Sequence, residues 1–145
     1  MIKAVNQIVR NTPRGQFATG IHASFKKITD EWGLKFFDYK GRRDTNYARQ
    51  KEAAECGCGP RIGRKFTTTD INGDKVYGYV TECVVKTYSR KRNGYYLHQY
   101  QIEEDYDVKM LFEKMIENNI SINDMHAGNM GYLADGRLVA IDFSV

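Results

Sequence analysis

Two short apolar runs, Met130-Gly131-Tyr132 and Leu138-Val139-Ala140-Ile141, stand on either side of Ala134-Asp135-Gly136. Runs of this length separated by a turn signal read as the two arms of a β-hairpin. A hairpin here fixes where the neighbouring polar residues must go. Asn129 opens the first arm and Asp142 follows the second, so their side chains arrive near one another, with Asp124 on the loop that feeds the hairpin. Two carboxylates and an amide oxygen are hard donors. They suit a cation such as Mg²⁺, which is usually held by one or two carboxylates together with substrate phosphates.

The rest of the composition sets the frame for that site. A chain of 145 residues that is 41% hydrophobic can build one domain with a proper core. No apolar run has spanning length, and residues 1–10 alternate polar with apolar, so no membrane helix or secretory signal is expected and a soluble cytoplasmic protein is. Cys56, Cys58 and Cys83 lack a second metal-spaced pair and read as reduced thiols. The net charge of +4 hides an asymmetry: residues 1–100 carry 19 basic and 9 acidic side chains, residues 101–145 only 3 basic and 9 acidic. The basic clusters Lys40-Gly41-Arg42-Arg43 and Arg90-Lys91-Arg92 lack the regularly spaced aromatics of a base-stacking platform, so nucleic acid is not the expected partner.

Along the chain, Ile2 to Val9 is compatible with a short helix or a strand. Gly15 to Ile28 reads as two strands joined by small residues, and Gly20, Ala23 and Ser24 there would let backbone amides approach an anion closely. Gly33 to Phe37 reads as a strand with Leu34 and Phe36 on one face and Lys35 and Phe37 on the other. Lys35 is then either on an edge strand in solvent or buried with a partner. Thr45 to Glu55 has helical composition, with Asp44 or Thr45 to cap it and Gly57 and Pro60 to end it; it carries Glu52 and Glu55 about one turn apart. Asn72-Gly73 joins two strands, Arg64 to Thr69 and Lys75 to Thr81. Asn93-Gly94, flanked by Tyr88, Tyr95, Tyr96 and Tyr100, marks a second hairpin or a tyrosine-rich partner surface. Asp105 to Asn118 is an amphipathic helix whose stripe is Val108, Leu111, Phe112, Met115 and Ile116.

Asp124-Met125-His126-Ala127-Gly128-Asn129 resembles the catalytic loop of the protein-kinase-like superfamily, in the D-x-H-x-G-N form of aminoglycoside and choline phosphotransferases. Asp142-Phe143-Ser144 resembles the metal-binding D-F-G. The resemblance implies an α+β fold. Its N-lobe, about 1–82, would be an antiparallel sheet with one αC-like helix, followed by a hinge at about 82–86 and a truncated C-lobe of one helix and one hairpin. It also implies roles, with ATP and Mg²⁺ as cofactors. Asp124 would be the catalytic base and Asn129 and Asp142 the metal ligands. Lys35 would match the phosphate-gripping lysine, with Glu52, or else Glu55, as its carboxylate partner. Gly20, Ala23 and Ser24 would form a degenerate glycine-rich loop. The backbone of Glu82 and Val84 would meet adenine.

Several positions depart from that pattern. Ile122-Asn123 replaces the usual His-Arg, Ser144 replaces the glycine, and the sequence stops at Val145 before any activation loop or peptide-binding helices, an economy similar to that of short kinase-like effectors and phage kinases. The expectation is therefore a minimal kinase acting on a protein hydroxyl. The competing class is a nucleotide-binding pseudokinase or inhibitor that works by occupying a regulatory partner protein. Five apolar side chains on helix 105–118 exceed what one hairpin can cover, which points to a homodimer or a protein partner on that helix.

Overall fold

The computed structural model describes residues 2–11, 18–19, 23–88, 90–123 and 125–143, and the backbone alone for 2–5, 11, 18 and 19. In chain order the elements are α1 (Ile2–Asn11), β1 (Ala18–Thr19), β2 (Ser24–Lys27), β3 (Trp32–Phe37), α2 (Lys40–Glu55), β4 (Ile62–Thr69), β5 (Lys75–Glu82) and β6 (Lys86–Thr87). They continue with β7 (Lys91–Arg92), β8 (Tyr95–Tyr96), α3 (Gln99–Ile102), α4 (Tyr106–Glu117), a 3₁₀ turn (Ala127–Asn129), β9 (Met130–Tyr132) and β10 (Leu138–Ala140). The fold is α+β, and among the described residues every strand pair is antiparallel. Two compact units form: Met1–Ala48 with Ile62–Glu82, and Arg49–Arg61 with Cys83–Phe143. None of the described helices is long and apolar enough to cross a membrane.

The first unit is built on a five-stranded sheet in the order β1-β2-β3-β5-β4. On one face Leu34 and Phe36 of β3 join Val9 of α1, Phe66 of β4 and Val76 of β5 in a buried cluster. On the other, Phe37 stacks on Tyr79 with ring centroids 6.3 Å apart, and Tyr47 of α2 meets Tyr79 edge-on at 5.3 Å. Lys35 lies in register with Phe25 on one side and Tyr79 on the other, so β3 is an interior strand and the solvent-edge alternative for this lysine is excluded. The β4-β5 connection follows its turn chemistry. The Asp70 carboxylate accepts from the amides of Asn72 (2.9 Å) and Asp74 (3.0 Å), while Gly73 takes φ +83°.

Helix α2 begins five residues earlier than its composition suggests. Asp44 does not cap it: the carboxylate lies within the helix and accepts from Arg43 Nε at 2.6 Å, with Lys65 Nζ at 3.2 Å. Those two cations hold it below the usual carboxylate range against the opposing effect of burial. The reason for the early start is tertiary. Arg43 is 5% exposed, and its guanidinium donates to the carbonyls of Phe66 (2.9 Å) and Gly78 (3.4 Å), which draws the first turn of α2 onto the sheet.

In the second unit, β9 and β10 form the expected hairpin, pairing Leu138 with Tyr132 and Ala140 with Met130. The expected content of one helix and one hairpin is too small. β6 adds a third strand beside β9, the last turns of α2 belong to the same core, and α3 supplies buried Ile102. The end of α2 is a Schellman motif: Cys58 N donates to Ala53 O at 2.7 Å, Gly57 N to Ala54 O at 3.1 Å, and Gly57 takes φ +78°. β7 and β8 form a hairpin with positive φ at both Asn93 (+54°) and Gly94 (+82°), as a type I′ turn requires.

The stripe on α4 also needs correction. Val108, Leu111, Phe112 and Met115 are all buried, in one cluster with Ala53, Cys58, Met130, Leu138, Ala140 and others, whereas Ile116 is 58% exposed. Ala53 of α2, Ile102 of α3 and the β9-β10 hairpin supply residues of that cluster, so four of the five apolar side chains are already covered within the unit. The coverage argument for a homodimer or helix-bound partner loses its basis.

Candidate functional site

The loop before β9 is organised by a histidine. His126 precedes the 3₁₀ turn, and its Nδ1 accepts from Gly128 N at 3.0 Å while its carbonyl accepts from Asn129 N at 3.0 Å. The Tyr96 ring stacks on the imidazole, with centroids 5.8 Å apart and planes 25° off parallel. The lack of a side chain at Gly128 leaves room for this stack, since a Cβ would lie 2.9 Å from His126 Cε1 and 3.0 Å from the Tyr96 ring and would push them aside. Ala127 N is tied to Leu97 O at 2.9 Å, so both ends of the turn are anchored.

This anchoring places Asn129 against the far end of the hairpin. Ile141 N donates to Asn129 O at 3.0 Å, which brings Asn129 and Asp142 to the same end of the β9-β10 ladder. Both are half-buried. Beside them lies a cavity of about 280 Å³ whose lining includes Asp142, Glu52, Arg49, Ser121, Asn123 and Met125, with Met115, Ile120 and Phe143 as its apolar wall. Arg49 is fixed there by donation to Phe143 O at 3.2 Å. Two of the sequence-predicted residues, Glu52 and Asp142, therefore share one cavity, and the residues on both sides of position 124 line it. Both glutamates are exposed, but only Glu52 lines the cavity, which separates two residues that spacing alone left equivalent.

The remaining predicted residues divide into three groups. Asp124 and Gly20 lie outside the described residues. Ala23, Ser24, Lys35 and Glu82 belong to the first unit: Ala23 precedes β2, Ser24 opens it opposite Thr19, Lys35 is mid-strand in β3, and Glu82 ends β5 opposite Trp32. Val84 belongs to the second unit, where it packs on Gly131, and the next amide, Val85 N, donates to Tyr132 O at 2.8 Å. Lys35 and Glu52 thus sit in different units. Among the described residues no three His, Cys, Asp or Glu side chains gather to hold a metal, so any ion at Asp142 would be completed by amide, phosphate or water oxygens.

No protein-family model matches the chain, and a comparison with curated proteins finds no similar one.

Sequence reasoning missed three features of this region. Arg49 lies one helical turn before Glu52, a spacing that could have flagged it as sharing the same face. A second cavity of about 300 Å³, lined by His98, Gln99, Tyr100, Met125 and His126, shares Met125 with the first. Finally, Asp105, which immediately precedes α4, is bonded to two side chains from upstream. The Asp105 carboxylate accepts from the Tyr88 hydroxyl and the Arg90 guanidinium, which hold it below the usual carboxylate range. Burial, and then Asp105, push the Tyr88 phenol up.

Proposed function

We propose that the chain is an ATP- and Mg²⁺-dependent phosphotransferase acting on a protein hydroxyl, with a protein-kinase-like arrangement of its site. The observation that carries this reading is the shared cavity of Glu52 and Asp142, walled by Asn123 and Met125 and backed by Asn129 at the end of the hairpin. The donor set fits the metal. A carboxylate and an amide oxygen at the end of a rigid ladder are hard ligands, and too few for a closed protein cage, which suits an ion that keeps phosphate and water in its shell. When bound, Mg²⁺ would neutralise charge on the phosphates being transferred. In this reading Asp142 and Asn129 hold the ion, Asp124 takes up the acceptor proton, and Lys35 and Glu52 position the phosphates. Gly20, Ala23 and Ser24 line the phosphate loop, and the backbone at Glu82 and Val84 meets adenine.

Calorimetry with ATP, first in Mg²⁺ and then in chelator, tests the nucleotide assignment; equal affinity in the two removes the metal. A γ-labelled ATP assay with and without cell extract tests transfer. Metal-dependent binding without label transfer to any acceptor would identify the competing class, a nucleotide-binding regulator that acts on a partner protein.

A further inference from the structure

The second cavity is distinct in chemistry from the first. Its lining of His98, Gln99, Tyr100, Met125 and His126 carries no Asp, Glu, Lys or Arg among the described residues. Rings dominate it: His98 and Tyr100 are stacked at 5.9 Å with planes only 7° apart, and His126 is stacked on Tyr96. Tyr100 is 71% exposed, so its ring is held in water by the His98 stack and is available to a further one. At about 300 Å³ the space lies at the lower limit of small-molecule sites, enough for a single ring rather than an extended ligand.

The hydrogen bond inside His126 fixes what that ring should carry. Nδ1 accepts from Gly128 N, so in the neutral imidazole the proton is on Nε2, which can only donate. A donor at Nε2 does not ligate a metal, which rules against reading the two histidines as a metal pair. It calls instead for an acceptor oxygen on the bound ring. The Gln99 amide can serve either partner. In the sequence, Met125 and His126 directly follow Asp124, the residue proposed above to take up the acceptor proton.

We infer that this cavity binds the phenol of a tyrosine side chain from a polypeptide, stacked on the exposed ring of Tyr100 with its oxygen accepting from His126 Nε2. The inference rests on the proposed phosphotransferase reading for its consequence, namely that the tyrosine hydroxyl is the acceptor. The binding itself does not depend on it.

The test uses the whole chain without nucleotide and three probes: the N-acetyl amides of tyrosine, phenylalanine and serine. Imidazole resonances of His98 and His126 are followed by NMR during titration. The tyrosine probe should shift both imidazoles and bind about fivefold or more tighter than the phenylalanine probe, the factor expected for one hydrogen bond, while the serine probe should leave both unmoved. Tyr100→Ala should weaken the tyrosine probe about two- to tenfold through loss of stacking, with the fold checked by circular dichroism. Equal response to all three probes, or an unchanged affinity in Tyr100→Ala, overturns the inference. Calorimetry with ATP and Mg²⁺ on the same sample separates the two claims. Tyrosine binding without ATP binding leaves the cavity assigned and removes the phosphotransferase, and ATP binding without tyrosine binding does the reverse.

Discussion

The amide of Ile141 donates to the carbonyl of Asn129 at 3.0 Å, one rung beyond the last paired residues of the β9-β10 hairpin. That bond sets the separation of the two proposed metal ligands through the backbone, independently of any ion. Asp142→Asn should therefore remove Mg²⁺-dependent ATP affinity in a chain that still melts cooperatively, because the backbone ladder is intact. Calorimetry and a thermal melt on the same sample check it.

Asp124→Asn is expected to behave differently. The role proposed for Asp124 concerns the acceptor hydroxyl and not the phosphates, so label transfer should fall by about a hundredfold or more while ATP affinity is retained. Loss of both together would place Asp124 in nucleotide binding instead.

Gly57→Ala should cost about 1–2 kcal/mol. Gly57 takes φ +78° in the Schellman motif that ends α2, a region where an L residue is strained, and a Cβ there would lie 3.0 Å from Arg137 Nη1 and 3.2 Å from Lys114 Nζ. Urea titration measures the cost. Gly73→Ala, at φ +83° but with open space around it, should cost the strain alone and so no more than Gly57→Ala.

Alkaline pH should destabilise the second unit through its thiol. Burial pushes the Cys58 thiol from about 9 up to about 12. In the folded chain it stays protonated where the unfolded chain would ionise. The sign follows from linkage: its contribution is fully present below about pH 9 and is lost as pH rises toward about 12. Cys58→Ala should flatten the fall in melting temperature over that window. The Tyr88 phenol, also raised by burial, should leave a residual fall in the variant above about pH 10.

Ile116→Asp and Phe112→Asp separate coverage from association. Ile116 is exposed and its change should be tolerated within about 0.5 kcal/mol, whereas Phe112 is buried and an unpaired carboxylate there should unfold the unit. Circular dichroism with light scattering checks this. A folded Phe112→Asp chain that has merely dissociated would restore the case for an interface on α4.

What was legible in the sequence was mostly local. Asn72-Gly73, Asn93-Gly94 and Gly57 specify their own backbone conformations, so both hairpins and the end of α2 followed from a few residues each. The sharing of a cavity by Glu52 and Asp142 was not legible: the resemblance paired Glu52 with Lys35 and Asp142 with Asn129, and the cavity joins residues 90 positions apart. The features that escaped depend on partners far along the chain. The start of α2 is set by Arg43 reaching carbonyls 23 and 35 residues away. Strand β6 is two residues long and exists only because β9 lies beside it. The burial of α4 draws on a cluster that joins it to Ala53, Ile102 and the β9-β10 hairpin, whose proximity no periodicity reports.

Strand β4 forms one border of the five-stranded sheet, and its outward ladder positions are not an inviting template. Arg64, Lys65 and Thr67 are exposed along it, and the pairing with β5 slips between Ile62 and Lys65, which bends the strand where a newcomer would have to start. Two positive charges and a bulge discourage an incoming chain from extending the sheet, so crowding at high concentration should not drive this molecule into strand-swapped or fibrillar aggregates through that border.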